Sequence, residues 1–577
     1  MREQAARALR AGATHYTDRA GLAEVRVSLS SWLGAGGAEQ VIVTAGLQEG
    51  LFLALRTLLA PSSTVARVGE PSPTVGFDAL LDSLGLVAVA GAGEGLVVFE
   101  GKLVRLYTAA GVVTIGDFGF AGLGGWGVGY LAGPPAMIDP MIELKQGLNI
   151  CTAAVSQHAA AAAARETEPF VAEVGSVAVA GRQAGNGKVR STGPAPGASV
   201  SDDGTRQRYE LLDLLASTPR AITLGRGDPD LATPAPIVEA AIAAMELPAR
   251  EPDPLGLPEL RRAIAAKLAA DNGVVADPER EILVTTGGQE AIFLVLQTLL
   301  EPGDEILMPS PRYTSYDVAV NVAAARIVDV APPEPLDFSL DAEAIEAAIT
   351  PRTRALLIIS PGNPTAAVAD RERLRAVCEV ARRHGLMMIS DEMYERIVYE
   401  GAVHTSIASL PHMRESTITV GGFSKAYAMT GWRVGYLAAP APLVAAAARL
   451  KRLWSGPTSQ IAQHGALAAL THPDDLSAPG VSTYARRRAL TLEALRALGL
   501  PHAPAQGAFY VFFDISGLGL PSYELSRRLL AEAGVFLYPG SGFGSEWGGH
   551  MRLAWVAPDE LLEQALTRIG DWIARHR

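Results

Sequence analysis

The chain has 577 residues, 49 % of them apolar, which is enough for several domains with large cores and excludes a disordered chain. Its net charge of −12, spread without long single-sign runs, speaks against nucleic acid or an anionic membrane as a main partner. Cys151 and Cys378 are too few and too far apart for a disulfide framework or a thiolate metal site, and neither an apolar signal core at the N-terminus nor an apolar run of membrane-spanning length is present, so a reducing cytoplasmic location is expected.

In chain order, the first elements return later in the sequence. AGLAEVR (20–26) matches LGLPELR (255–261), 235 positions on. VTAGLQEG (43–50) matches VTTGGQEA (284–291), 241 positions on. GWGVGYLA (125–132) matches GWRVGYLA (431–438), and Gln157-His158 matches Gln463-His464, both 306 positions on. The matches are collinear with rising offsets, which points to an ancestral duplication. The step between offsets puts a loss of about 65 residues between Pro73 and Gly116 of the first copy. That copy stops after an alanine-rich helix that includes Ala159–Ala164. The following stretch, 180–208, is rich in Gly, Ser, Thr and Pro and reads as a flexible linker.

The second copy alternates short apolar strands, EILVTT (281–286), ALLIIS (355–360), MMIS (387–390) and TITV (417–420), with helical patterns such as DRERLRAVCEVARRH (370–384). This alternation predicts an α/β domain with a mostly parallel sheet between helices. From about Ser482 the pattern becomes that of a smaller α+β domain. The expected division is a degenerate partial copy (1–178), a linker (179–208) and a complete copy (209–577). In the complete copy the large domain covers about 240–480, and the small domain about 209–239 plus 481–577.

The segment GGFSKAYAMTGWRVGYLAAP (421–440) resembles the lysine motif of class I/II aminotransferases, which have the fold-type-I architecture of pyridoxal-phosphate (PLP) enzymes. Eight further segments match in the family's order: LGRGDPD (224–230), GLPELRRAIA (256–265), VTTGGQEAI (284–292), PSPRYTSY (309–316), SPGNPT (360–365), SDEMYERIVY (390–399), GAFYVF (507–512) and HMRLAWV (550–556). The resemblance covers essentially all of 205–577. It implies a seven-stranded-type, mostly parallel sheet, PLP as cofactor, and amino-group transfer between an α-amino acid and a 2-oxo acid. PLP lyases, synthases and oxidases share these residues, and a non-catalytic amino-acid or PLP binder is the reading from a different class.

The resemblance also assigns roles. Lys425 is the amine that holds the cofactor and moves a proton. Asp391 would keep the pyridine nitrogen protonated, and Tyr394 and Asn363 would hydrogen-bond the phenolic oxygen. Gly287, Gly288 and Gln289 open a helix whose N–H groups suit a phosphate, with Ser424 and Arg433 completing that site. Tyr313 matches the ring-stacking aromatic, Arg552 the α-carboxylate arginine, and Gly227 a backbone contact to the same carboxylate. Blander readings exist for several: a surface lysine, a helix N-cap for Asp391, a turn residue for Asn363, a packed core tyrosine for Tyr313.

The first copy has no lysine matching Lys425; Gly127 stands at the place of Arg433 and Val75 at that of Tyr313, and the segments of Asn363 and Asp391 fall in the deletion. It is therefore not expected to hold PLP. In the family each site is shared between two subunits, one lending a tyrosine to the other's cofactor phosphate. The second copy has Glu251 there, whereas the first has Tyr16 (YTDRAGLAEVR). This suggests an intramolecular pseudo-dimer in which Tyr16 serves the Lys425 site; a homodimer of second copies is the alternative. Some relatives acting on acidic substrates carry a lysine where Gln48 and Gln289 stand, which disfavours a dedicated dicarboxylate site here unless another cation substitutes.

Overall fold

The computed structural model describes residues 1–167 and 210–576, apart from 72–75, 91–92, 101–102, 212–213, 216 and 249–252. The expected linker (179–208), Val75 and Glu251 lie outside the described residues. Two seven-stranded sheets form the framework. The first contains β1 (Val41–Thr44), β2 (Thr64–Val68), β3 (Val87–Val89), β4 (Gly95–Glu100), β5 (Leu103–Thr108), β6 (Gly111–Asp117) and β7 (Gly129–Ala132), in the order β1-β7-β6-β5-β4-β2-β3. After the short β8 (Ile222–Thr223), the second contains β9 (Ile282–Thr285), β10 (Glu305–Pro309), β11 (Arg326–Val330), β12 (Thr353–Ile359), β13 (Met387–Asp391), β14 (Thr417–Gly422) and β15 (Gly435–Ala438), in the order β11-β10-β12-β13-β14-β15-β9.

Taken from β3 to β1 and from β11 to β9, the two sheets correspond strand for strand. Directions agree with one exception. β13 runs parallel to both neighbours, whereas β5 runs antiparallel to β4 and β6. Parallel neighbours need a crossover, here the helix Arg371–Arg383 between β12 and β13. In the first sheet β4, β5 and β6 follow one another as tight hairpins and need none. The segment left between Pro73 and Gly116 thus completes the sheet as a meander.

β9 is buried along its whole length and leads through Gly287 into the helix Gly288–Leu299. β1 likewise leads through Gly46 into the helix Leu47–Leu58. Both glycines have positive φ, 81° and 115°, a turn that side chains with a Cβ disfavour. Behind each turn lies a buried ion pair. Glu290 accepts the Thr286 N–H at 2.6 Å and Lys451 Nζ at 2.7 Å; Glu49 accepts the Ala45 N–H and Lys145 Nζ. The cores do not respect the division into copies. Phe52 and Leu51 share one cluster with Phe293, Leu294 and Trp454, and Trp32 and Tyr130 share another with Trp432, Tyr436 and Ile237.

The small domain closes over the second sheet. β16 (Tyr510–Asp514), β19 (His550–Ala554) and β18 (Tyr538–Pro539) form its sheet, and β17 (Val535–Phe536) pairs with β8. Its core of Leu224, Tyr484, Phe509, Trp555 and Trp572 includes Tyr394 and Ile397 from the large domain. Among the described residues, no helix is long and apolar enough to cross a membrane.

Candidate active site

The loops after the C-terminal ends of β10, β12, β13 and β14 converge, which is where open α/β sheets hold ligands. They carry Tyr313, Asn363, Asp391 and the pair Ser424-Lys425. Lys425 is 8 % exposed, and its Nζ donates to the Gly227 carbonyl at 2.8 Å. The amine lies 5.1 Å from the centre of the Tyr16 ring and 5.9 Å from the rings of Tyr394 and Phe509.

Arg433 is 1 % exposed and sits in the left-handed region at φ 56°. Gly127, at the same place in the first half, has φ 63°. Arg433 donates to Thr430 O at 3.0 Å and to Asn149 O, from the first half, at 2.9 Å, while its Nε is buried without a hydrogen-bond partner. A Cβ at Gly287 would stand 2.4 Å from Arg433 Nη2, so the glycine is what lets this guanidinium reach the helix start. At Gly288 a Cβ would meet Met393 at 2.2 Å. The Gln289 side chain is held by backbone carbonyls, its Nε2 donating to Gly147 O at 3.0 Å and Ser315 O at 3.2 Å.

Tyr16 arrives on a segment pressed against the 430–433 loop. Gly431 N–H donates to Thr14 O at 2.8 Å, and a Cβ at Gly431 would stand 2.0 Å from the His15 carbonyl. The Tyr16 ring centre is 5.1 Å from Arg433 Cζ. Burial pushes its phenol up to about 12, against the opposing pull of Arg433.

Asp391 is buried, accepts the Met393 N–H at 3.0 Å and takes a hydrogen bond from the Tyr316 hydroxyl. Burial raises its carboxyl pKa, and the Tyr316 hydroxyl and Met393 N–H offset only part of that. Tyr316 escaped the sequence reading. PRYTSY offers two tyrosines, and only the fold shows that Tyr316 turns inward while the half-buried Tyr313 packs edge-on against it at 5.4 Å. Tyr394 pairs its hydroxyl with that of Tyr510 at 2.9 Å, and burial holds its pKa well above the usual tyrosine value.

Arg552 is 5 % exposed among the rings of Tyr510, Tyr538 and Phe543, at 4.6, 5.1 and 4.9 Å. It donates to Asn363 Oδ1 at 2.9 Å and to Gly225 O at 2.6 Å, and its Nε is buried without a partner. The backbone group beside Arg552 is therefore the Gly225 carbonyl. The Gly227 carbonyl accepts from Lys425, which leaves its N–H for the backbone contact to the substrate carboxylate expected from the sequence. Ser424 is buried one residue before Lys425.

These groups suit pyridoxal phosphate on grounds of the structure itself. Two buried guanidinium groups with orphaned Nε atoms await anions, a glycine-opened helix start adjoins one of them, and an amine and a buried carboxylate lie between. A fold-type-I sheet with an amine and a buried arginine at its C-terminal edge, faced by a second arginine from the small domain, defines a class of enzymes that handle amino acids through this cofactor.

Residues 219–569 match the family model "Aminotransferase class I and II", and the chain belongs to that family. It is 40 % identical over 365 residues to an aspartate aminotransferase of Pyrococcus abyssi, covering 62 % of this chain and 93 % of that protein. It is 38 % identical over 392 residues to an aspartate/prephenate aminotransferase of Thermus thermophilus, covering 67 % and 98 %. The structure of an aromatic aminotransferase from Pyrococcus horikoshii superposes with a TM-score of 0.60 at 39 % identity, covering 63 % and 99 %. The protein is a PLP-dependent aminotransferase acting on an amino acid and a 2-oxo acid.

Proposed function

We propose that the chain transfers amino groups by a ping-pong cycle at a single composite site, in which the second half supplies the chemistry and the first half stands in for a partner subunit. One observation carries this reading: the Tyr16 ring lies 5.1 Å from both Lys425 Nζ and Arg433 Cζ. When bound, PLP supplies an electron sink for the pair released as the substrate Cα–H bond breaks. Lys425 would hold the cofactor through its amine, give it up to the substrate amine, and shuttle the proton taken from Cα across to the cofactor's aldehyde-derived carbon. Asp391 stabilises the pyridine N–H, because a buried carboxylate that is costly alone gains from a cationic partner. Asn363 and Tyr394 would hold the phenolic oxygen, and Tyr313 would cover the ring. Arg433, Ser424, Tyr16 and the N–H groups from Gly288 onward bind the phosphate. Arg552 binds the substrate α-carboxylate, with Asn363 and Gly225 fixing its fork.

Contacts between the halves support the pseudo-dimer, because they occur in pairs. Gln289 Nε2 donates to Gly147 O at 3.0 Å; the corresponding residues exchanged, Gln48 Nε2 donates to Leu453 O at 3.2 Å. Phe52 meets its own counterpart Phe293, ring centres 6.3 Å apart. Such reciprocity is the mark of a two-fold interface. The proposed division remains 1–178, 179–208 and 209–577, with both boundaries outside the described residues. The free, buried Cys151 and Cys378 agree with a cytoplasmic location.

The test is the visible absorption of the purified holoenzyme with single amino acids. Loss of the cofactor band on adding an amino acid, and its return on adding a 2-oxo acid, is the expected result, with neither in Lys425→Ala. Continuous product formation without any oxo acid would replace the ping-pong reading with lyase or oxidase chemistry.

A further inference from the structure

We propose that Tyr510 is a positioning residue for the transfer reaction: its hydroxyl donates to that of Tyr394 and so commits the Tyr394 proton to the cofactor's phenolic oxygen. This rests on the assignment of Lys425, Tyr394 and Arg552 above. Tyr510 opens β16 of the small domain and is 1 % exposed. Its side chain meets three parts of the proposed site. Its hydroxyl lies 2.9 Å from that of Tyr394, which follows β13 of the large domain. Its ring centre lies 4.6 Å from Arg552 Cζ. A Cβ at Gly227, whose carbonyl holds Lys425 Nζ at 2.8 Å, would overlap the Tyr510 hydroxyl, so the glycine is what gives that hydroxyl its place.

A phenol carries one proton and donates once. By distance alone either hydroxyl of the pair could be the donor, and the surroundings decide between them. Among the described residues neither hydroxyl has another hydrogen-bond partner. If Tyr394 donated to Tyr510, the Tyr510 proton would be buried without an acceptor, and the phenolic oxygen would lose a donor. If Tyr510 donates, no proton is stranded and that of Tyr394 is free for the cofactor. Burial first, and then the neighbouring phenols of Tyr510, Tyr313 and Tyr16, hold Tyr394 well above the usual tyrosine value, so it stays a hydroxyl in the working pH range. Lys425 Nζ faces the same ring from 5.9 Å. Each hydroxyl in such a chain polarises the next, so the outer donor strengthens the inner one. A donor at the phenolic oxygen stabilises the form of the bound cofactor that has lost its proton, and weakening that donor moves the titration to higher pH.

The holoenzyme, Tyr510→Phe, Tyr394→Phe and the double variant are titrated by visible absorption without substrate. Tyr510→Phe should raise the pH midpoint of the cofactor band by about one unit, the worth of one hydrogen bond. Tyr394→Phe should raise it at least as far, and Tyr510→Phe should add nothing in that background, because it acts through Tyr394. With amino acids as donors, Tyr510→Phe should lower kcat about tenfold and leave KM nearly unchanged, since the ring against Arg552 is retained. An unmoved midpoint in Tyr510→Phe, or an equal shift with and without the Tyr394 hydroxyl, would overturn the proposal while leaving the transaminase reading intact. A midpoint that Tyr394→Phe does not move would overturn the placing of Tyr394 at the phenolic oxygen, and this inference with it. Absence of a visible cofactor band in the unaltered enzyme would instead overturn the Lys425 assignment.

Discussion

At the scale of the residue, the proposed composite site turns on Tyr16, whose ring lies 5.1 Å from both Lys425 Nζ and Arg433 Cζ. Its phenol, pushed up to about 12, remains a hydroxyl donor throughout the working pH range. Tyr16→Phe should weaken PLP retention by about tenfold, the worth of one hydrogen bond to a charged group, as read from absorbance after dialysis. Because the hydroxyl does not titrate below its raised pKa, the loss should be the same at about pH 6 and at about pH 9. Tyr16 was legible in the sequence because the YTDRAGLAEVR segment retains the family's spacing. Tyr316 was not, since two tyrosines three residues apart are equal in sequence and only the turn after β10 decides which one faces Asp391. The hold of the Gly225 carbonyl on Arg552 was hidden for a similar reason. Successive carbonyls in LGRGDPD look alike until the small domain sets their direction.

At the scale of the element, the strand-turn-helix unit has been kept in both halves, although the proposed cofactor site belongs to only one. Its brace is the buried pair, Lys451 with Glu290 and Lys145 with Glu49, whose acid also takes the N–H of the turn. Removing one member of such a pair strands the other charge in the core, at a cost of about 3–5 kcal/mol. Glu49→Gln should therefore lower stability in denaturant titration about as much as Glu290→Gln, and Glu49→Gln combined with Lys145→Met should cost less than the two single changes together. A brace without structural use in the first half would show no such loss. The repeat made these elements readable before any coordinates, since both members of each pair fall on the 241 and 306 offsets. The β4–β5–β6 meander left no such trace. Residues 95–108 match no segment of the second half in sequence, so the sequence showed a deletion while the fold shows β4 and β5 in the places of β12 and β13, a sheet made whole by hairpins.

At the scale of the molecule, covalent linkage changes what a dimer interface has to do. Aminotransferases are typically homodimers, whose sites form only when subunits associate. Here the reciprocal contacts, Gln289 with Gly147 and Gln48 with Leu453, and the contact of Phe52 with Phe293, are made within one chain. A tether makes such an encounter intramolecular and independent of protein concentration. The surface that would pair two chains is then already covered, with Phe293, Trp454 and Trp432 packed in cores shared by both halves. Light scattering of the holoenzyme should give the mass of one chain, with one PLP per chain. Specific activity should stay constant on dilution, where a homodimer would lose activity as it dissociates. Residues 209–577 expressed alone would expose those aromatic faces and lack Tyr16, and should self-associate or aggregate and retain PLP poorly. If that fragment instead forms a dimer that binds PLP as tightly as the full chain, the first half is not the partner subunit, and Tyr16 lies beside the cofactor site without serving it.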